Sequence, residues 1–147
     1  MSGSVLAGSA SENFQPHRAF YKMTMGSSKS SSGIIGVDGR MIFEWRSTCD
    51  AYIVEQRYMM RYQREEGTET HTDTEFSTLE NKDGEHYKFY VKNKLSDKRS
   101  MIEGIATYSS KYGTGKVSYR SPREIHYKLP QKTMFPSNHT FHLLDAA

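Results

Sequence analysis

Between Phe43 and Tyr62 apolar and polar side chains take turns. Phe43 and Trp45 are interleaved with Glu44 and Arg46; beyond Thr48-Cys49-Asp50, Val54, Gln56, Tyr58, Met60 and Tyr62 alternate with Ile53, Glu55, Arg57 and Arg61. A repeat of two residues marks strands with one face against a core. With Cys49 and Asp50 as the turn residues, Trp45 falls opposite Val54, Phe43 opposite Gln56 and Met41 opposite Tyr58. This register gathers the apolar sides together. It also sets Glu44 opposite Glu55, a repulsion of a few tenths of a kcal/mol unless Arg46 and Arg57 on the diagonals offset it. A slip by one residue would mix the two faces.

The same rhythm continues along the chain. Strands are predicted at 17–25, 40–47, 51–65, 68–80, from Glu85 to Leu95, at 101–109, 115–121 and 125–130. Asp38-Gly39 reads as a tight turn, and Asn81-Lys82-Asp83-Gly84 as a hairpin turn. Residues 26–33, "GSSKSSSG", form a flexible polar connection. Residues 1–14 read as a disordered lead-in without an export signal's positive start or apolar stretch, although Gly8-Ser9-Ala10 has small residues where cleavage needs them. No segment sustains helical periodicity, and the closing "FHLLDAA" leaves room for at most a short helix. The expected domain, residues 15–147, is therefore an all-β antiparallel meander of seven or eight strands, curling as an open, barrel-like sheet.

Composition agrees with that reading. Ten Tyr and seven Phe stand against one Trp, 35% of residues are hydrophobic, and the 147-residue length fits one domain. Tyr and Thr suit a pleated surface wetted on one side. The net charge of +3 is mild, and Lys and Arg are interleaved with Asp and Glu. That pattern argues against a nucleic-acid partner, which calls for cations on one face. No run is long and apolar enough for a membrane helix, so membrane insertion is not expected.

Candidate chemistry is sparse. His139 and His142 lie three apart near Asp145, but the other histidines have no ligand-like spacing, so no metal site is expected. Glu44 and Glu55 read as surface charges and not as paired acids. Asn138-His139-Thr140 matches a glycosylation sequon, which matters only on a eukaryotic secretory route. No phosphate loop or nucleophile elbow occurs, and neither a catalytic residue nor a cofactor is expected. Trp45, with Phe43 and Tyr58, is expected to anchor the core. Cys49 is the sole cysteine. It reads equally as a buried thiol, a catalytic thiolate or half of a disulfide.

"PHRAFYKMTM", "GIIGVDGRMIFEWRSTCDAYIVEQRYMMRY" and "MFPSNHTFHLL" resemble, in the same order, the EipB family of periplasmic envelope-integrity proteins of alphaproteobacteria. Its most specific element is Trp45, Cys49 and Asp50 leading into Val54-Glu55-Gln56-Arg57. The resemblance implies a β-spiral, a periplasmic location, a role in envelope maintenance and stress resistance, no known reaction, and a periplasmic TPR-repeat protein as partner. The family chain is about twice this length and bonds the cysteine matching Cys49 to a second one near its C-terminus. The resemblance thus covers an N-terminal half and places the disulfide partner of Cys49 beyond Ala147. The expected function is non-enzymatic support of the envelope through protein binding. A lipocalin-like carrier of an apolar or lipid ligand, walled by Tyr, Phe and Met, is the alternative.

Overall fold

A computed structural model describes residues 9–27, 29 and 32–147. The alternation is realised as eight strands: β1 (His17–Thr24), β2 (Ile34–Ser47), β3 (Ala51–Arg64), β4 (Glu69–Asn81), β5 (His86–Leu95), β6 (Lys98–Ser109), β7 (Thr114–Ser121) and β8 (Ile125–Leu129). They pair antiparallel in chain order within a single sheet, with β1 and β8 left as its two edges. The sheet is an open curl. Helices α1 (Ala10–Asn13) and α2 (Pro136–Asp145) flank the strands in sequence.

The β2–β3 register follows the hydrophobic pattern: Trp45 opposes Val54, Phe43 opposes Gln56 and Met41 opposes Tyr58. Thr48 closes the turn around Cys49 and Asp50, donating its N–H to the Ala51 carbonyl at 2.8 Å. The Ala51 N–H in turn reaches Thr48 Oγ1 at 3.0 Å. Glu44 and Glu55 do oppose each other. Arg46 lies within 3.5 Å of Glu44 and 3.2 Å of Glu55, and Arg18 of β1 also binds Glu44. Arg57, expected to share this task, turns to Asp73 at 2.7 Å.

Three local expectations are corrected. Asp38-Gly39 is not a turn: Asp38 pairs with Arg61 and Gly39 with Met60 inside a β2 longer than foreseen. Gly39 is needed because a side chain there would overlap the Met60 thioether and the Met59 carbonyl. The irregularity lies earlier, as a register shift between Ile34 and Gly36. Over residues 9–14 the lead-in is ordered, because α1 is followed by Phe14 packed edge-on to Trp45 with ring centroids 4.8 Å apart. Residues 1–8 of that lead-in lie outside the described residues. The short C-terminal helix is present but begins before the closing "FHLLDAA", at Pro136, and runs ten residues. Proline at its first position supplies a suitable φ and lacks an N–H the helix would have to satisfy.

Both helices lie on one face of the sheet, its inner face, at the end bearing the β2–β3 and β4–β5 turns. Phe141 of α2 packs on Tyr52 and Trp45, with centroids 5.1 and 6.1 Å away. Trp45 and Phe141 are each 4% exposed. A second cluster forms where Phe135 meets Tyr87, Ala106 and Tyr108. Tyr108 accepts the Lys132 N–H on its phenol oxygen at 2.7 Å, tying down the approach to α2.

Between these clusters lies Glu80 of β4, 1% exposed. Its carboxylate accepts the Ser137 N–H at 2.7 Å, the Asn138 N–H at 2.9 Å and the Asn138 side-chain amide at 2.8 Å. Phe135 at the N-cap offers no side-chain cap. A carboxylate from the sheet caps the helix in its place. Of the first three helical positions, Pro136 has no N–H and Glu80 takes the other two; His139 then makes the first intrahelical bond, to Phe135 O at 2.9 Å. The positive helix end also favours the negative charge.

Replacing Glu80 by Ala strands buried donors, and such a loss costs about 3 kcal/mol. Glu80→Ala is therefore expected to move the urea midpoint sharply downward, and Glu80→Gln by a smaller amount. Denaturation followed by circular dichroism checks both; a midpoint unchanged in Glu80→Ala would rule out the clamp.

Candidate functional site

The alternation decides which side chains reach the inner face. It takes Gly39, Met41, Phe43 and Trp45 from β2, and Tyr52, Val54, Gln56, Tyr58 and Met60 from β3. β4 adds Thr74, Phe76, Thr78 and Glu80, and β5 adds Tyr87, Phe89 and Val91. Near the helices this face is packed. Toward the opposite end nothing among the described residues covers it, and Met41, Tyr58, Met60, Phe76 and Val91 are half-buried.

An aromatic chain runs across the packed part. Tyr87 stacks on Phe135 at 5.2 Å and on Phe89 at 5.8 Å; Phe89 meets Tyr119 edge-on at 5.4 Å, and Tyr119 meets Tyr127 at 6.1 Å. Phe89 lies flat across β6 because residue 104 is glycine, where any side chain would overlap its ring. Aromatic rings over a strand glycine are a known device for fixing register. Tyr127 stands on the β8 edge, 57% exposed.

Burial, assisted by the charge on Glu80 and opposed by a hydrogen bond with Thr78, pushes the Tyr87 phenol up to about 12. Burial and then Glu80 push Tyr52 upward too. On the outer face, Arg57 holds Asp73 below the usual carboxylate range through their hydrogen bonds. Arg61 binds Asp38 at 2.8 Å.

The residues singled out in the sequence are not brought to one place. Trp45 is buried under α1 and α2, with Phe43 half-buried beside it. Tyr58 stands on the uncovered part, donating to Gln56 Oε1 at 2.5 Å. Cys49 is a free, exposed thiol at the hairpin tip. As the sole cysteine of this chain it has no disulfide partner here. No group of three metal-ligating side chains occurs among the described residues. Asp145 instead accepts the Ala10 N–H at 2.7 Å. Asn138, read as a sequon, serves Glu80. Glu80, at the end of the strand predicted at 68–80, belongs to no motif that marks it in the sequence. The signal lay in its inner-face parity, which placed a carboxylate among aromatic residues. No helix among the described residues is long and apolar enough to cross a membrane.

A phenol held neutral by the fold stabilises it below the ordinary tyrosine pKa. That contribution is fully present below about pH 10 and is lost as pH rises toward 12. Unfolding free energy is expected to fall by on the order of 2 kcal/mol across this window. Tyr87→Phe should flatten the fall, as measured by urea titrations from pH 9 to 12; an equally steep fall in the variant would assign it elsewhere.

The fold described above recurs in known proteins. The chain is 32% identical over 133 residues to the cell envelope integrity protein EipB of Brucella abortus, covering 90% of this chain and 47% of that protein. It superposes on the crystal structure of a β-barrel-like protein of a domain of unknown function from Brucella abortus. There the TM-score is 0.82 at 30% identity, over 88% of this chain and 53% of the other. The chain thus spans about half the length of these relatives. The EipB-like family model matches residues 8–147, and this protein belongs to that family.

Proposed function

We propose that this protein serves cell-envelope integrity in the periplasm as a binding protein and not as an enzyme. One observation carries the reading. Among the described residues the inner face is packed at the helix end, yet its far end is open, largely apolar and bordered by the edges β1 and β8, which no further strand pairs. An unpaired edge offers backbone donors and acceptors to an added strand, and alternate side chains beside it supply selectivity. The polar side chains that could be drawn as catalytic are otherwise engaged: Glu44 with two arginines, Glu80 with a helix. The name of the Brucella abortus relative supports the envelope role. A TPR-repeat protein, the partner implied by the resemblance, is helical and would dock its extended surface on the open part of the inner face instead of adding a strand. The second reading, a carrier of a lipid or other apolar ligand, is favoured by Met41, Met60 and Phe76 on the open part of the inner face.

The test is a photo-crosslinking residue at Tyr127 in an alphaproteobacterial strain lacking the gene, with the protein exported to the periplasm. The protein-binding reading expects restored survival in bile detergent and one dominant crosslinked protein. Crosslinks to lipid alone with survival restored would favour the carrier. Full resistance in the strain lacking the gene would overturn the envelope role.

A further inference from the structure

The outer face carries a feature that neither the packing nor the envelope role explains. Where strands oppose like charges, the sheet loses stability unless a counter-charge intervenes. The acidic pair Glu44 and Glu55 has Arg18 and Arg46. The basic pair Lys22 and Arg40, directly opposed on β1 and β2, has no such relief among the described residues. Neither makes an ion pair among the described residues. Lys94 and Arg99 oppose each other on β5 and β6 and are likewise without an ion pair.

These cations are gathered at one depression. An open groove of about 1030 Å³ crosses the outer face at the end away from the helices, and Lys22, Arg40 and Lys94 all line it. Arg99 lines the adjoining hollow, which Lys94 shares. Two carboxylates also line the groove, and both are occupied: Asp38 by Arg61, Asp73 by Arg57. Lys94 directly opposes Asp73 across β4 and β5 and attracts its carboxylate, so Lys22 and Arg40 carry most of the unbalanced charge. His71 is 3.5 Å from Glu69. The groove therefore holds an excess of unneutralised positive charge. Beside the Lys22–Arg40 pair the surface is apolar, formed by Phe20, Ile42 and Met59, while Asp73 stands between Met59 and Lys94. Phe20, between Arg18 and Lys22 on that face of the edge strand, is 71% exposed.

We propose that this groove binds a single phosphate-bearing lipid, its headgroup on the directly opposed Lys22 and Arg40 and its acyl chain along Phe20, Ile42 and Met59. A ligand with charge at one end and hydrocarbon behind it matches both properties of the groove. Its volume suits one such molecule. A phosphate also supplies the counter-charge that the Lys22–Arg40 pair lacks. This site lies on the face opposite the one considered for partner binding, so the two readings stand or fall separately.

Dodecyl phosphate below its micelle concentration serves as the probe, with inorganic phosphate and dodecyl maltoside as head-only and tail-only controls, all by isothermal calorimetry. Saturable binding of one dodecyl phosphate is expected, with both controls at least about tenfold weaker, since dodecyl maltoside lacks the charged hydrogen bonds and inorganic phosphate lacks the buried chain. Lys22→Gln with Arg40→Gln should weaken binding by about tenfold or more. Because this double substitution removes a like-charge opposition, its thermal midpoint should be unchanged or raised, which separates lost binding from lost fold. Phe20→Ser should weaken dodecyl phosphate while leaving the weak phosphate signal alone. Equal binding of the neutral detergent, or undiminished affinity in the double variant, would overturn the proposal. So would cosedimentation with phosphatidylglycerol vesicles without binding of the monomeric probe, which would make the groove a bilayer contact.

Discussion

The contact between Glu80 and the first turn of α2 is the constraint on which the inner face depends. A curled sheet with an apolar inner side must cover that side or leave it wet, and here ten residues of helix cover one end of it. Hydrophobic packing by Phe135 and Phe141 is non-directional and would tolerate sliding. Three hydrogen bonds to one buried carboxylate do not. They fix where the helix starts, and with it which rings meet Trp45, Tyr52 and Tyr87.

The rest of the sheet reads as a division of labour between its two sides. Inside, rings pack edge-on or stacked, and Gly104 makes room for Phe89. Outside, charges are paired across strands, as Arg57 with Asp73 and Arg61 with Asp38, where exposure keeps each pair's contribution small. A sheet that satisfies itself in this way has no need to leave some positions unsatisfied. Those it does leave are the open inner face, the two edges and the unpaired cations of the outer groove. They are the places where this fold is available to something else.

Much of the sheet was legible in the sequence because a period of two leaves little freedom once the turn is placed. Cys49-Asp50 fixed the pairing of Trp45 with Val54 and everything along β2 and β3. Asp38-Gly39 misled because the same dipeptide that makes a hairpin also serves a strand whose neighbour, Met60, needs the space of a missing side chain. The two helices were hidden for a different reason. α1 is four residues and α2 is held by tertiary contacts, so neither carries a long amphipathic repeat of its own. The role of Glu80 was hidden with them. A carboxylate on a strand becomes a helix cap only when the chain returns 57 residues later. The unpaired cations also needed the register, since Lys22 and Arg40 meet only once β1 is laid against β2.

Amide hydrogen exchange resolved to single residues bears most directly on the clamp. If Glu80 holds α2 to the sheet, the Ser137 and Asn138 amides exchange only with the global opening that exposes the centres of β3 and β4. They then share the denaturant dependence of those strands. Exchange of these two amides at the rate of a frayed terminus, with β3 and β4 still protected, would show that the helix rests on the sheet without being held by it.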